Sequence, residues 1–592
     1  IRDRDVTGVQ TCALPIFEVI GVAVKVNDAE TEWFSGDFQQ TLAWLQRFDW
    51  ENQFVLAHNA MFDSAILTWH FGIKPKAWLD TLSMARATLG VSTSMSLAKL
   101  AEHFGLGAKG TEVEDAKGLR RLDFSPNHLA TYGEYCRNDV DLTYKLYHEL
   151  NTGFPVKEKK LIDLTIRMFS EPVLELDAPR LVSHLQDVRD RKQKLFTDAG
   201  ITPDILNSNK KFATLLAAFG VYPPMKISPT TGKETYAFAK SDEDFLALQN
   251  HEDERVQALV AARLGARSTL EETRTERFIG IAGRTEAHLL PIPLKYYAAH
   301  TGRWGGSDSV NLQNLPSRGS QGGKLKRCIV APKGHVIIDC DSSQIEARVL
   351  AWLAGEVNIL KKFANKEDVY KYMAAMIYNK YEAEIDADER FIGKTTVLGA
   401  GYGMGAVKFQ RQLQTMGKHV DLDTCKYIIK QYRQSNRFIA SWWNLLNMVL
   451  QSMLANRPMD GVDYAGLLSV TPFTGIQLPN GLFLNYPDLR KETDGQFSYM
   501  TRYGRNRIYG GKVAENLCQA VARCIIGEQM LEIAKEFRVV LTVHDAVACV
   551  VPEALAEDAR AYIETCMSTS PKWAVDLPLS CESGMAVTYG DC

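Results

Sequence analysis

Two carboxylates fall where apolar strands end. HVIIDCDSSQIEARVLAWLAG (335–355) begins as an apolar strand and turns amphipathic, with Ile345, Val349 and Leu353 at helical spacing. Asp341 and Ser342 lie at the junction, where Asp or Ser can cap the helix. VVLTVHDAVACVV (539–551) has an apolar run on each side of His544–Asp545, which reads as a hairpin with a carboxylate at its turn. Two such carboxylates could together hold divalent cations, and a pair of ions can clamp the attacking and leaving oxygens of an in-line phosphoryl transfer. Mg²⁺ suits oxygen ligands and keeps waters and substrate phosphates in its shell. Taken singly, each carboxylate reads equally well as surface chemistry.

ERFIGKTTVLGAGYGMG (389–405) supplies a second cluster. Arg390 and Lys394 are four apart and share a helix face, and Leu398 and Tyr402 continue the row. Cations at one end of a strip and an aromatic ring at the other suit a nucleotide, the cations for its triphosphate and the ring for its base. Gly399, Gly401, Gly403 and Gly405 are poor helix formers and would let a base pair approach the backbone. A solvated helix is the alternative. Gly393-Lys394-Thr395 also matches the tail of a phosphate loop, but Asp388 stands where that motif needs glycine, and the lead-in EAEIDADER is acidic, not an apolar strand.

The elements that must position these groups run the length of the chain. Phe17 to Val26 and 53–63 read as strands, and 81–105 and 127–150 carry helical spacing. NTGFPVKEKK (151–160) is the best linker candidate, and 161 to about 285 is mostly helical and highly charged, with a polar loop at 228–245. Length allows about four domains at roughly 150 residues each. A net charge of −3, 46% apolar and 23% charged residues exclude a disordered, collagen-like or histone-like chain. That balance hides a basic stretch: 295–330 holds Lys295, Arg303, Arg318, Lys324, Lys326 and Arg327 against the single acid Asp308. Eleven cysteines without a Cys-x-x-Cys pair read as a reduced, cytoplasmic protein, and no apolar run is long enough to span a membrane. DVTGVQTCALPI (5–16) resembles translated sequencing-adapter read-through, with an ordinary loop as the alternative. Residues 1–16 are therefore set aside as a non-native segment, and a natural segment ahead of Phe17 is expected to be missing.

Three motifs in order resemble the family A, polymerase-I-like DNA polymerases, particularly those of bacteriophages. DSSQIEAR (341–348) resembles the first palm motif, Arg390-x3-Lys394-x3-Leu398-Gly399-x2-Tyr402-Gly403 the fingers helix, and Val543-His544-Asp545 the second palm motif. KYYAAHTGRWGG (295–306) and NLQNLP (311–316) resemble the segment that contacts the primer–template duplex. Asp368-Val369-Tyr370 resembles the start of the fingers, and YGGKVAENLCQAVAR (509–523) the helix before the second palm motif. The resemblance implies that Asp341 and Asp545 bind two Mg²⁺ ions, with Mn²⁺ as an alternative. It implies that Arg390, Lys394, Tyr402, Glu346, Gln344 and Tyr370 contact the incoming dNTP, Glu346 by blocking a ribose 2′-hydroxyl. Thr301, Arg303, Gln313, Asn314, Gln519 and His544 would contact DNA, and basic residues around 263–277 and 318–327 would meet phosphates. Leu398 replaces a frequent aromatic and Ala546 a frequent Glu, which puts sugar discrimination and any third metal carboxylate in doubt.

Residues 17–150 resemble the family's proofreading 3′–5′ exonuclease domain. HNAMFD (58–63) matches its second motif, with Asp63 as a metal carboxylate. YCRND (135–139) matches its third, with Tyr135 orienting the attacking water and Asp139 on metal. The first motif, Asp-x-Glu, is not found ahead of Phe17, so impaired proofreading is expected. The implied fold is α/β and α+β multidomain: an RNase H-like exonuclease domain lacking its first strand, then a right hand. Thumb is expected at 161–290, palm at 295–355 and 515–592, and fingers at 356–514. The implied function is template-directed extension of a primer 3′-hydroxyl with dNTPs, in phage or bacterial replication. The implied partners are primer–template DNA and dNTPs, without a membrane, and accessory proteins are left open. A 3′–5′ exonuclease only, a non-catalytic DNA-binding protein and a single-subunit RNA polymerase are the alternatives. The intact Asp341, Asp545, Arg390 and Lys394 argue against the first two, and Glu346 with the tyrosine-containing fingers motif speaks for deoxynucleotides.

Overall fold

A computed structural model describes residues 18–90, 94–110, 116, 118–228, 232–239, 242–266, 270–308, 310–316 and 323–592. The expectations for residues 1–16, Phe17 and Arg318 lie outside these. The described chain divides into two compact units, one built from three chain segments that end at Leu174, span Pro291–Asn314 and resume at Ala331, the other from Glu175–Leu290 and Leu315–Val330.

The first unit starts with an antiparallel pair, β1 (Val22–Val24) and β2 (Glu32–Phe34), and a parallel pair, β3 (Phe54–Ala57) and β4 (Ala77–Asp80). Helix α1 (Ala60–Ala65) follows β3 through Asn59 in the left-handed region at φ 74°. Asp80, 4% exposed, fixes that turn from the neighbouring strand end. Its carboxylate accepts the backbone N–H groups of Asn59 (2.8 Å) and Ala60 (3.1 Å). It also caps its own helix through Leu82, Ser83 and the Ser83 hydroxyl. A buried carboxylate with this many donors stays satisfied, and it holds HNAMFD in one conformation.

Helix α2 (Pro126–Asn151) is followed by α3 (Val156–Ser170). The expected linker at 151–160 is thus four residues, 152–155. Moreover, α3 belongs to the first unit and not to the thumb expected from 161: Asp163 accepts the Trp78 N–H (2.8 Å), and Arg167 donates to the Pro75 and Lys76 carbonyls. The apolar face of α3, including Leu161, Ile162, Ile166 and Phe169, is buried, which amphipathic spacing requires of a packed helix.

In the second unit, α4 (Ala178–Asp198) runs beside α5 (Leu270–Ala282), joined by Arg189 to Glu276 (2.6 Å) and Lys192 to Glu272 (2.9 Å). Arg263, expected among the phosphate contacts, is fully buried instead, with its guanidinium 4.9 Å from the Phe212 ring centroid and 5.6 Å from that of Phe238. The aromatic cluster draws it inward by cation–π attraction.

The four-stranded sheet of the first unit is antiparallel. Strand β5 (His335–Ser342) lies between β7 (Ala546–Pro552) and β8 (Cys581–Ala586), and β6 (Val539–Val543) pairs with β7. Register sets Asp341 opposite Ala546 and Glu582. Alternation along β5 buries Ile338, Cys340 and Ser342 while Asp341 is exposed. Strand β5 continues through Ser342, so the capping expected of Asp341 and Ser342 does not occur. Gln344, left-handed at φ 55°, is the N-cap of α6 (Ile345–Ala354). Next come α7 (Val369–Tyr378) and α8 (Ala387–Ala400), then the long buried helix α9 (Gly510–Ile533) and α10 (Ala556–Ser568), which packs on β5 and β8.

Asp80→Ala is expected to destabilise the N-terminal region by about 2–4 kcal/mol, the cost of a helix cap plus further bonds to a charged acceptor. Hydrogen exchange of the Asn59 and Ala60 amides checks it: their protection should fall, and that of the β5 amides should not.

Candidate active site

The two strand-end carboxylates meet. His544 and Asp545 form a two-residue turn between β6 and β7, with His544 left-handed at φ 54°. Ser342 donates its N–H to the Asp545 carbonyl (3.1 Å), which ties the end of β5 to that turn. Glu346, in the first turn of α6, adds a third acid. Arg303 answers this charge, donating through Nη2 to Glu346 and reaching Asp545 Oδ1 at 3.5 Å. Burial drives the Asp545 carboxyl up to about 6, with Arg303 opposing and Glu346 and Asp341 adding to the rise. Among the described residues no three His, Cys, Asp or Glu side chains gather into a ready-made metal site. Asp341 and Asp545 nevertheless fit a hard divalent ion: their donors are oxygens only, and a cation would offset the charge that burial disfavours on Asp545.

Gln313 holds the turn. Its amide donates to the Thr542 carbonyl (2.7 Å) and accepts the His544 N–H (3.0 Å), so both ends of the side chain are used. It is 7% exposed, and Thr301 is 3% exposed with its hydroxyl unpartnered. Direct DNA contact, expected of both, gives way to burial. Arg303 is engaged by carboxylates, while Asn314 and His544 are exposed and Gln519 is half-buried on α9.

The cation strip forms on α8. Arg390 donates to Asp368 (2.6 Å), which also caps α7 through the Tyr370 and Lys371 amides. Both Arg390 and Lys394 lie over the Tyr370 ring, at 5.5 and 5.7 Å from its centroid. Tyr370 is buried, so it carries the two cations instead of opening toward a nucleotide. Tyr402, two residues past the end of α8, donates its hydroxyl to Glu346 (3.3 Å), and burial pushes its phenol well up. Leu398 is exposed and so is Gln344. Gly401 serves protein packing, since a side chain there would strike Leu350, while the space beside Gly405 is open; Gly393, earlier on α8, lies against the Tyr370 carbonyl.

A second acidic group lies in the N-terminal region. Burial drives the Asp63 carboxyl up to about 7, with a backbone hydrogen bond opposing and the nearby Asp80 adding to the rise. Lys109 donates to the Tyr135 hydroxyl (2.7 Å) and to Asp139 Oδ2, with its ammonium over the Tyr135 ring. Asp139 Oδ1 is buried without a partner among the described residues. No hydrogen bond or ion pair among the described residues links Asp63 with Tyr135 or Asp139.

Residues 181–591 match the family model of DNA polymerase family A. The chain belongs to DNA polymerase family A. The family's reaction is template-directed DNA synthesis, and it uses divalent metal. A 3′-5′ exonuclease model matches residues 24–154 of the polymerase. The DNA polymerase of Bacillus phage SP02 is 23% identical, over 90% of this chain and 88% of that protein. DNA polymerase I of Pseudomonas aeruginosa is 24% identical over 86% of this chain and 53% of that protein, so the polymerase spans about half of that relative's length. In fold it is similar to the POL domain of Pol1 from M. smegmatis in complex with DNA primer–template and dNTP. That likeness has a TM-score of 0.68 at 17% identity, covering 97% of this chain and 94% of that one. No helix among the polymerase's described residues is long and apolar enough to cross a membrane.

Sequence spacing could not find the countercharges of the polymerase: Arg303 for Glu346 and Asp545, Asp368 for Arg390, Lys109 for Asp139. Each joins residues far apart in the chain, and only an acid in need of a partner signals them. Gln313→Ala is expected to lower kcat/KM for primer extension by roughly 10–100-fold, matching the about 1–3 kcal/mol carried by bonds to buried backbone. Steady-state kinetics alongside a thermal melt check it; unchanged kcat/KM would remove the positioning role.

Proposed function

We propose that this polymerase extends a primer 3′-hydroxyl along a template with dNTPs in phage or bacterial DNA replication, through the site built on Asp341 and Asp545. The carrying observation is the junction of β5 with the β6–β7 turn, which brings two carboxylates from distant segments to one place. Asp341 and Asp545 would hold Mg²⁺, with Mn²⁺ as a substitute. Such ions, when bound, polarise the primer hydroxyl and neutralise charge on the departing pyrophosphate.

The protein's own groups do the rest. Arg390 and Lys394 present two positive charges from one helix face, suited to a triphosphate, and Asp368 orients the first of them. Glu346 would exclude the 2′-hydroxyl of a ribonucleotide, and the Tyr402 bond holds its carboxylate in place. Arg303, His544, Asn314 and Gln519 would meet the primer end and the minor groove, whose acceptors are common to every base pair. The M. smegmatis neighbour, seen with primer–template and dNTP, supports the same partners here. Ten free cysteines among the described residues suit a reducing cytoplasm.

The exonuclease-like region is read as weak. Lys109 pairs with Asp139 through Oδ2, a positive charge that would compete with a cation there. Metal-dependent degradation of single-stranded DNA at a rate comparable to extension would overturn this.

Primer extension with Mg²⁺ and each dNTP or NTP set tests the main reading. Asp545→Ala and EDTA should each abolish extension, and Glu346→Ala should raise ribonucleotide use by at least tenfold. Extension by Asp545→Ala at the wild-type rate would refute the metal role.

A further inference from the structure

The most deeply buried ion pair of the first unit lies away from the carboxylates, yet one covalent step connects it to them. Glu158 of α3 and Arg523 of α9 meet at 2.5 Å with their side chains 2% and 1% exposed. Tyr296 donates to the same carboxylate, and Asn480 adds a bond at 2.8 Å. The guanidinium is packed among three rings, 5.2 Å from the centroid of Tyr296, 5.0 Å from that of Tyr297 and 4.6 Å from that of Trp304. Burying two charges is expensive, and a well-packed apolar pair of similar volume would often serve stability equally well. Stability alone is therefore a poor account of this pair.

The remaining bond of Arg523 offers a better one. Its Nε–H donates to the Gly302 carbonyl (3.0 Å). A peptide unit is planar, so fixing that carbonyl also fixes the N–H of Arg303 across the same bond. Gly302 is left-handed at φ 81°, and a side chain there would lie 2.7 Å from the Tyr297 ring, so the loop is held from both sides. Ala298 donates to the Arg303 carbonyl (3.0 Å), closing the turn on the other side of Arg303. From this clamped backbone the Arg303 guanidinium reaches Glu346 and Asp545.

We infer that Arg523, held by Glu158, is a positioning residue that aims Arg303 at the Glu346–Asp545 pair through the Gly302 carbonyl. The inference rests on the proposed role of Arg303 in synthesis. A planar guanidinium fixed by a carboxylate on one edge can present Nε–H in a set direction, and an ammonium cannot.

The test is a double-mutant cycle in the full chain. Arg523→Lys keeps the charge opposite Glu158 and removes the directed Nε–H. It should lower kcat/KM for primer extension by 10-fold or more and reduce the preference for dNTPs over NTPs several-fold. In an Arg303→Ala background the same substitution should cost less than threefold, because the group it aims is gone. Gly302→Ala acts on the other end of the link and leaves both charged groups in place; it should behave alike, which gives a second variant where Arg523→Lys fails to fold. Equal losses in both backgrounds, for whichever variant melts like wild type, would mean a merely structural role and overturn the inference. Full activity of Arg303→Ala alone would sink the underlying role of Arg303 together with the inference.

Discussion

Mutual repulsion of carboxylates is the constraint around which this protein is arranged. A site that attracts divalent cations must gather acids in a partly desolvated place, and before any ion arrives those acids disfavour one another. In Asp545 burial raises the carboxyl first, and Glu346 and Asp341 add to the rise. The structure answers with a single guanidinium, Arg303, shared between Asp545 and Glu346. A shared countercharge is useful only if its reach is controlled. The Gly302–Arg523–Glu158 chain supplies that control, and Gln313 does the equivalent for the turn that carries Asp545.

The N-terminal region handles its acids differently. Asp80 is engaged by backbone amides and the Ser83 hydroxyl, and Asp139 is met by an ammonium that also binds Tyr135. In the palm one cation spans two carboxylates and one of its contacts is long. In the exonuclease-like region one cation is committed to one carboxylate at close range. The two acidic centres of the chain thus differ in how readily their charge can be handed to an incoming ion.

Much of this was legible in the sequence wherever a local pattern dictated the outcome. The apolar runs around His544–Asp545 require a hairpin, and the strand-to-helix change after Asp341 is visible in its periodicity. The family resemblance followed from the spacing of three motifs, and residues 181–591 match accordingly. What stayed hidden depends on packing between distant segments. Gln313 and Thr301 look like contact residues in a polar stretch, yet both are buried, Gln313 because the turn beside it needs its hydrogen bonds. Arg263 looks like a phosphate ligand, yet aromatic rings provide a competing site for its charge. Gly401 looks like access for a base pair, yet the Leu350 side chain fills the space beside it.

Strand order in the palm has a bearing on how such a chain is made. Strand β5 sits between β7 and β8, so the strand that carries Asp341 has no sheet partner until residues 546–552 and 581–586 exist. Domains tend to fold in the order of synthesis. The exonuclease-like region, with its parallel pair closed by Asp80, can fold early on the ribosome. Asp341 and Asp545, by contrast, remain apart until residues 546–552 have been made. During translation, therefore, the nascent chain holds folded structure well before Asp341 and Asp545 come together.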